Sequence, residues 1–270
     1  MSSYSRITSE EWEAQGRAMG LDKPLIVQYL VWVKNAAQGD FGDSVHFRRN
    51  SLDLILKFLP ATLQLSGISF LCALLIGVPL GVLSAVKRTT GWDYLGRSFA
   101  LLGQAAPPFW IALVFIWIFS VYLGWLPTSR KGDWTHYVMP VITLGWLPAA
   151  GLLRLTRSSM LEVLDSEYVK LARAKGVSTT TIIWKHAFRN SLIAPLTYAA
   201  VLLANFLTGT VVVETVFAWP GLGRLSVMAA LNTDFPMITG LALVFSVIFL
   251  LCSLVADILY ALLDPRIRLG

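Results

Sequence analysis

DSEYVKLARAKGVSTTTIIWKHAFRNS, residues 165–191, is a polar and basic stretch between two strongly apolar parts of the chain. Its basic residues are Lys170, Arg173, Lys175, Lys185 and Arg189. A loop this basic and this rich in helix signals predicts a docking element for a soluble partner. A basic anchor at the lipid headgroups is the alternative that the residues leave open.

The same stretch predicts two short helices joined at Gly176. Residues 165–175 begin with acidic side chains and end with Arg173 and Lys175, which complements the helix dipole at both ends. Gly176 suits a left-handed cap, and Ser178 suits the N-cap of a second helix over residues 179–190. The segment is therefore expected to fold as a helix-turn-helix loop.

The composition indicates a membrane protein. Of the 270 residues, 56% are hydrophobic and only 14% are charged, whereas soluble domains carry roughly 25% charged residues. The net charge of +6 comes without a nucleic-acid motif, so nucleic-acid binding is not expected. Cys72 and Cys252 both lie in apolar runs, and no metal-ligand spacing is present.

Five apolar segments predict an all-α, polytopic membrane domain over residues 60–264. The spans cover about 60–86, 98–124, 137–155, 192–217 and 237–263. Each exceeds or approaches the 20 or so residues that cross a hydrocarbon core. Pro107 and Pro108 break the second span, and Pro140 and Pro148 lie in the third.

Lysine and arginine predict the orientation. Twelve of them lie after the first span, between Arg154 and Arg189, or after the fifth span, whereas the opposite loops hold only Arg130, Lys131 and Arg224. The loop over residues 156–191 and the tail 265–270 are therefore expected in the cytoplasm.

Residues 1–59 are hydrophilic and are expected on the outer side. Helices are predicted over about 9–20, 24–38 and 51–59. Nothing apolar precedes this segment to carry it across the membrane. We therefore expect that an upstream span is missing, with the natural start before Met1.

The sequence YVKLARAKG, followed ten residues after its glycine by HAFRN, resembles the cytoplasmic loop of ABC-transporter permeases of the dipeptide/oligopeptide importer family. The matching residues are Tyr168, Val169, Ala172, Arg173, Ala174, Lys175, Gly176, His186, Ala187, Arg189 and Asn190. The general signature of such permeases is Glu-Ala-Ala, three residues, then Gly. Lys170 and Leu171 depart from it, and this departure is typical of the peptide subgroup.

Three further segments are similar to the same family. Residues 20–44 resemble its outer segment between the first two spans, ETVFAWPGLGRL (214–225) its outer turn, and LLDPRIRLG (262–270) its C-terminus. The family normally has six spans in a type I importer fold, so this chain departs by lacking the first.

The resemblance implies a non-catalytic transport subunit in a prokaryotic inner membrane. It would pair with a second permease, typically a different chain, to form the transport path. The resemblance favours peptides but leaves the substrate open among dipeptides, oligopeptides, glutathione, nickel chelates and sugars. Two cytoplasmic ATPases would bind the loop, and an extracytoplasmic binding protein would deliver the substrate. This chain has no phosphate-binding loop, so ATP would be used by the partner and no cofactor is expected here. The outer turn implies contact with the binding protein through Trp219, Pro220, Gly221, Leu222 and Gly223.

The substrate path is not identified by sequence. Glu214 and Asp257 are weak candidates, since acids in spans are often functional. Capping or pairing near the interface is the alternative for Glu214. Pairing with Arg154 or a polar contact between helices is the alternative for Asp257. An ion-gradient-driven secondary transporter remains the competing function. It would need paired buried ionisable groups, and both it and an intramembrane enzyme leave the structured basic loop unexplained.

Overall fold

The computed structural model describes residues 22–263. These residues form helices and no β-strand, apart from an isolated bridge between Asp43 and Asn50. The α-helices are α1 (Leu25–Ala37), α2 (Ser51–Val86), α3 (Gly91–Ala105), α4 (Pro108–Phe115), α5 (Thr135–Leu164), α6 (Glu167–Ala174), α7 (Thr179–Thr181), α8 (Arg189–Ser191), α9 (Ile193–Val216), α10 (Leu222–Leu231) and α11 (Phe235–Leu263). Two π-helical segments, Ile116–Tyr122 and Ile182–Phe188, continue α4 and join α7 to α8.

The packing of α2 against α5 forms the centre of the bundle. A row of small side chains on α2 makes the approach close, with Ser69, Ala73, Gly77 and Gly81 all buried. A Cβ added to Gly81 would lie 2.6 Å from Thr156 Cβ. Small residues at a helix contact allow backbones to approach, and this gives membrane helices their packing contacts.

The bundle has two distinct ends. The C-terminal ends of α2 and α5 lie beside α6–α8, through a cluster that includes Val82, Ala85, Met160 and Val169. We call this the loop end, and residues 167–191 the loop element. The opposite end contains the start of α2, the start of α5 and the turn after α9, since Trp219 contacts both Ala61 and Tyr137.

The second predicted span is not a straight helix. The axes of Gly91–Ala105 and Pro108–Tyr122 differ by 107°. The break falls at the predicted prolines, because Pro107 and Pro108 remove helix donors there. Within the described residues, three helices are long and apolar enough to cross a membrane, or four if the bent pair counts as one span. The predicted count of five is not confirmed.

Three helices extend beyond the predicted segments. The helix predicted over 51–59 and the span 60–86 lie in one helix, α2, which continues through Pro60 and Pro79. The helix that holds the third predicted span continues past 155 to Leu164 and so includes the first part of the predicted loop 156–191. The helix at the start of the second predicted span begins at Gly91, before residue 98. The helix predicted over 24–38 is confirmed as α1, and the one over 9–20 lies outside the described residues.

A short segment before α2 is fixed at the end opposite the loop element by Asp234. Its carboxylate accepts hydrogen bonds from the Ser44 hydroxyl and from the backbone N–H groups of Val45 (3.2 Å) and His46 (3.1 Å). Burial alone would raise the pKa of Asp234, but these hydrogen bonds outweigh it and hold the pKa below its ordinary value. Residues 44–46 are thereby tied to the start of α11.

Candidate functional site

The capping predicted for the loop element is confirmed. Gly176 has a φ of +80°, which favours glycine, and it follows the last turn of α6. The N–H of Gly176 donates to Arg173 O (2.9 Å) and that of Val177 donates to Ala172 O (3.1 Å), which together form a Schellman motif. The Ser178 hydroxyl then accepts from Thr181 N, as an N-cap does.

The two halves of the motif meet in space. Asn190 Nδ2 donates to the Tyr168 hydroxyl oxygen over 3.0 Å, although 22 positions separate these residues. Val169, Ile182 and Ala187 are buried against the ends of α2 and α5. The loop element is therefore one closed unit, attached to the bundle by apolar packing.

The outer surface of the loop element is both basic and apolar. Leu171 and Trp184 are each 57% exposed. The predicted docking residues that are also exposed are Tyr168, Arg173, Ala174, Lys175, Gly176, Arg189 and Asn190, whereas Ala172 and His186 are partly covered. An exposed apolar patch rimmed by polar residues is typical of an interaction site.

The predicted outer turn is mostly inside the protein. Trp219 and Leu222 are fully buried, Gly221 and Gly223 are buried, and only Pro220 is partly exposed. Trp219 Nε1 donates to Ala61 O over 3.0 Å, and its ring packs edge-on against Tyr137. These side chains hold α2, α5 and the turn together. Of the five residues predicted to contact the binding protein, only Pro220 is accessible to a partner.

Glu214 has a structural position in this turn. It is fully buried, and its carboxylate accepts from the Thr62 hydroxyl (2.7 Å) and the Arg224 N–H (3.0 Å). The Thr62 oxygen in turn accepts from Leu222 N over 2.7 Å. Because both carboxylate oxygens already have partners within the chain, this geometry favours the capping alternative for Glu214 over substrate contact.

A buried ionic cluster at the loop end was missed by sequence reasoning. Asp93, which is fully buried, accepts from Arg97 and Arg157 and from the Ser84 hydroxyl (2.6 Å). Arg157 Nε lies 2.8 Å from Asp93 Oδ1, and its Nη2 lies 3.1 Å from Oδ2. The spacing of Asp93 and Arg97 is that of a helical ion pair, but Arg157 is distant in sequence. The cluster fastens α2, α3 and α5 together.

A groove runs between α5 and α9. It consists of three cavities of about 640, 370 and 280 Å³, and Tyr198 lines all three. The largest is lined by polar groups near the loop end, including Glu162, Asn190 and Thr197. The middle one is lined by Arg154 and Ser158. The smallest is mainly apolar, and it includes Thr143, whose buried hydroxyl has no hydrogen-bond partner among the described residues.

Asp257 lies elsewhere, beside Thr197 and Val201, and it makes no ion pair with Arg154 in the part of the chain described. No group of three His, Cys, Asp or Glu side chains suited to a metal ion occurs between residues 22 and 263.

Comparison with known proteins identifies the family. Residues 77–269 match the family described as "Binding-protein-dependent transport system inner membrane component". The chain belongs to this family. It is therefore a non-catalytic permease subunit of an ABC importer, and an inner-membrane component of such a system.

Relatives within the family are similar over most of their length. The glutathione transport system permease protein GsiC of Salmonella typhimurium is 43% identical over 251 residues, which cover 93% of this chain and 82% of the relative. The GsiC of Escherichia coli is 42% identical over 250 residues, with the same coverage. These similarities support the peptide-type subgroup that residues 168–190 indicated.

Solved structures support the fold. The chain is similar to an inward-facing form of the MetNI methionine ABC transporter, with a TM-score of 0.65 and 16% identity, over 78% of this chain and 96% of the other. It is also similar to an amino acid ABC transporter, with a TM-score of 0.63 and 15% identity, over 77% and 93% of the two chains. The permease therefore has the type I importer fold.

Proposed function

We propose that this permease forms half of an import path for short peptides, including glutathione, and that it is driven through the loop element by cytoplasmic ATPases. The exposed face of the loop element carries this proposal. It combines basic residues such as Arg173 and Lys175 with the exposed apolar side chains Leu171 and Trp184. A surface of this kind suits a groove on a soluble protein that offers apolar contact and acidic side chains.

Movement of the docked partner would reach the membrane through α5. This helix continues without a break to Leu164, and α6 follows after two residues. Asp93 joins Arg157 on α5 to α3, so α2, α3 and α5 would move as one body. Such rigid-body movement exposes a transport path to alternate sides of the membrane.

The orientation and the partners belong to the same proposal. The loop end is cytoplasmic, because the lysines and arginines gather there, and the C-terminus is on the same side. The path is completed by a second, different permease chain, and an extracytoplasmic binding protein supplies the peptide. Residues 1–59 form an extracytoplasmic segment, and residues 60–264 with the loop form the transport domain. The relatives that transport glutathione support the substrate class.

The test is a pull-down from detergent-solubilised membranes. The chain carries a C-terminal tag and is co-expressed with its neighbouring genes, and uptake of labelled peptides is measured in vesicles from the same cells. We expect an ATPase to co-purify with the permease. Arg173→Glu with Lys175→Glu should remove the ATPase and abolish ATP-dependent uptake, because both charges face outward.

The matched control is Arg48→Glu with Arg49→Glu, which reverses two exposed charges at the opposite end. This control should retain the ATPase. If the loop variant keeps both ATPase and uptake, the docking assignment is wrong. If the wild-type permease imports no peptide while an ATPase is bound, the substrate class is wrong.

A further inference from the structure

Two arginines on α5 lie three residues apart but have different surroundings. Arg157 is fastened to the buried carboxylate of Asp93, with Arg97 on the other side of the same carboxylate. Arg154 is exposed within the chain, and no carboxylate lies within 4.0 Å of it among residues 22–263. The first arginine is neutralised inside the protein, whereas the second is left with its charge uncompensated.

Arg154 lines the middle cavity of the groove. It shares this cavity with Gly151, Ser158 and Tyr198. A charged side chain within or beside an apolar span faces a polar cavity and marks a functional site. The two larger cavities, about 370 and 640 Å³, share Leu155 and Tyr198 and lie within the roughly 300–1,000 Å³ typical of small-molecule sites.

The direction of the guanidinium argues against a contact with lipid headgroups at the loop end. Arg154 Nη1 donates to Gln104 Oε1 over 2.8 Å. Gly103 on α3 packs against α5, since a Cβ on Gly103 would lie 3.1 Å from Ala150 Cβ. Gln104 is the next residue of α3 and is therefore level with the turn of α5 that precedes Arg154. The guanidinium therefore reaches away from the loop end. An arginine that seeks the headgroups there would extend the opposite way.

We propose that Arg154 binds the carboxylate of a short peptide as it passes through the groove, and that Gln104 positions the guanidinium. This assignment rests on the proposed transport function and specifies the substrate group that the groove recognises. Of the five N–H donors on a guanidinium, Gln104 accepts one, and the others can form a bidentate pair with a carboxylate. Ser158 and Tyr198 add hydroxyl groups along the same cavity. The groove thus selects ligands that carry a free carboxylate.

The experiment measures equilibrium binding to the purified permease, with whatever subunits co-purify, in lipid nanodiscs without the binding protein. The probes are labelled glutathione and labelled trialanine, each competed by the unlabelled free acid or by the form in which every carboxylate is an amide. Omitting the binding protein removes its own preference from the result. The variants are Arg154→Gln, Arg154→Lys and the control Lys87→Gln, which removes an exposed charge at the loop end.

We expect the wild type to prefer the free acid over the amide. Arg154→Gln should weaken binding of the free acid by about tenfold to hundredfold, the effect of losing a charged hydrogen bond, and leave amide binding unchanged. Arg154→Lys should retain part of the affinity, because it keeps the charge but loses the bidentate geometry. Lys87→Gln should behave as wild type. Equal thermal unfolding midpoints would show that each variant is folded.

Three results would overturn the assignment. The first is that neither free acid binds the wild type. The second is that Arg154→Gln weakens acid and amide equally. The third is that the effect of Arg154→Gln appears only in nanodiscs with anionic phosphatidylglycerol and not in neutral phosphatidylcholine, which would assign Arg154 to a lipid phosphate. If the permease is folded, recovers its ATPase and imports peptides but gives any of these results, the proposed transport function stands. Only the assignment of Arg154 is then wrong.

Discussion

The loop element and the Trp219 turn lie at opposite ends of the bundle, and both were singled out by their sequence. The loop element exposes most of its motif residues and attaches to the bundle through a few buried apolar side chains such as Val169. The Trp219 turn, residues 214–225, buries Glu214, Trp219 and residues 221–223. A recognisable motif can therefore serve either as a surface for another protein or as an internal brace. A motif that forms a surface is rich in charged residues. A motif that forms an internal brace has small and aromatic residues around one buried acid.

Replacing one tryptophan in each region gives the largest expected contrast. Trp219 is 0% exposed and Trp184 is 57% exposed. Trp219→Ala should destabilise the fold by about 3–5 kcal/mol, because it leaves a cavity and removes the hydrogen bond from the indole to Ala61 O. Trp184→Ala should leave stability nearly unchanged and weaken ATPase recovery. Thermal unfolding in detergent and the pull-down measure the two effects. Similar stability losses in both variants would remove the distinction.

Replacing one glycine in each region should give the same contrast in stability, with smaller losses. A Cβ on Gly221 would lie 2.4 Å from the Glu214 carboxylate, so Gly221→Ala should cost about 1–3 kcal/mol through overpacking. No atom lies within 4 Å of a Cβ on Gly176, so Gly176→Ala should cost only the backbone strain of a positive φ, about 1 kcal/mol. Unfolding midpoints of the two variants should differ in this order. The reverse order would contradict the packing described around Glu214.

Acid should loosen the end of the bundle opposite the loop element. Folding lowers the pKa of Asp234, so the ionised carboxylate stabilises the folded state. This stabilisation is fully present above the ordinary pKa of about 3.9 and is lost as the pH falls through the lower pKa of the folded state. Hydrogen exchange should show Val45 and His46 losing protection below about pH 3.9, while Val169 keeps its protection. In Asp234→Asn the pH dependence of Val45 and His46 should disappear. Equal loss at both ends would contradict this prediction.

The smallest effect is expected from Tyr168→Phe. It removes the hydrogen bond between Asn190 and the Tyr168 hydroxyl, which is partly exposed. The cost should be at the low end of about 0.5–1.5 kcal/mol. Tyr29→Phe, on exposed α1, is the control. A modest fall in ATPase affinity for Tyr168→Phe alone would show that the two halves of the motif must be joined for docking. An unchanged affinity would show that each half docks independently.

The sequence predicted features that depend on local chemistry. The break at Pro107 and Pro108, the left-handed Gly176 and the Ser178 cap each follow from a few neighbouring residues. It did not predict that α2 continues through Pro60, because the packing of α2 against α5 and the turn decides whether a proline ends a helix. The Asp93 cluster and the position of Arg154 were also missed. Both depend on which residues of α3 face α5, and no local pattern encodes that pairing.

The continuity of α5 limits how such a permease can diversify. One 30-residue helix, about 45 Å long, carries Arg154 in its second half and ends two residues before α6. With the loop element docked as proposed, a substitution that tilts or rotates α5 to admit a different substrate would also displace α6 from the partner's surface. New substrate ranges should therefore arise more readily through side-chain exchanges on α9, on the other wall of the groove, than through rearrangement of α5. The α5 wall of the groove would then be constrained by the docked partner, whereas the α9 wall would be free to vary.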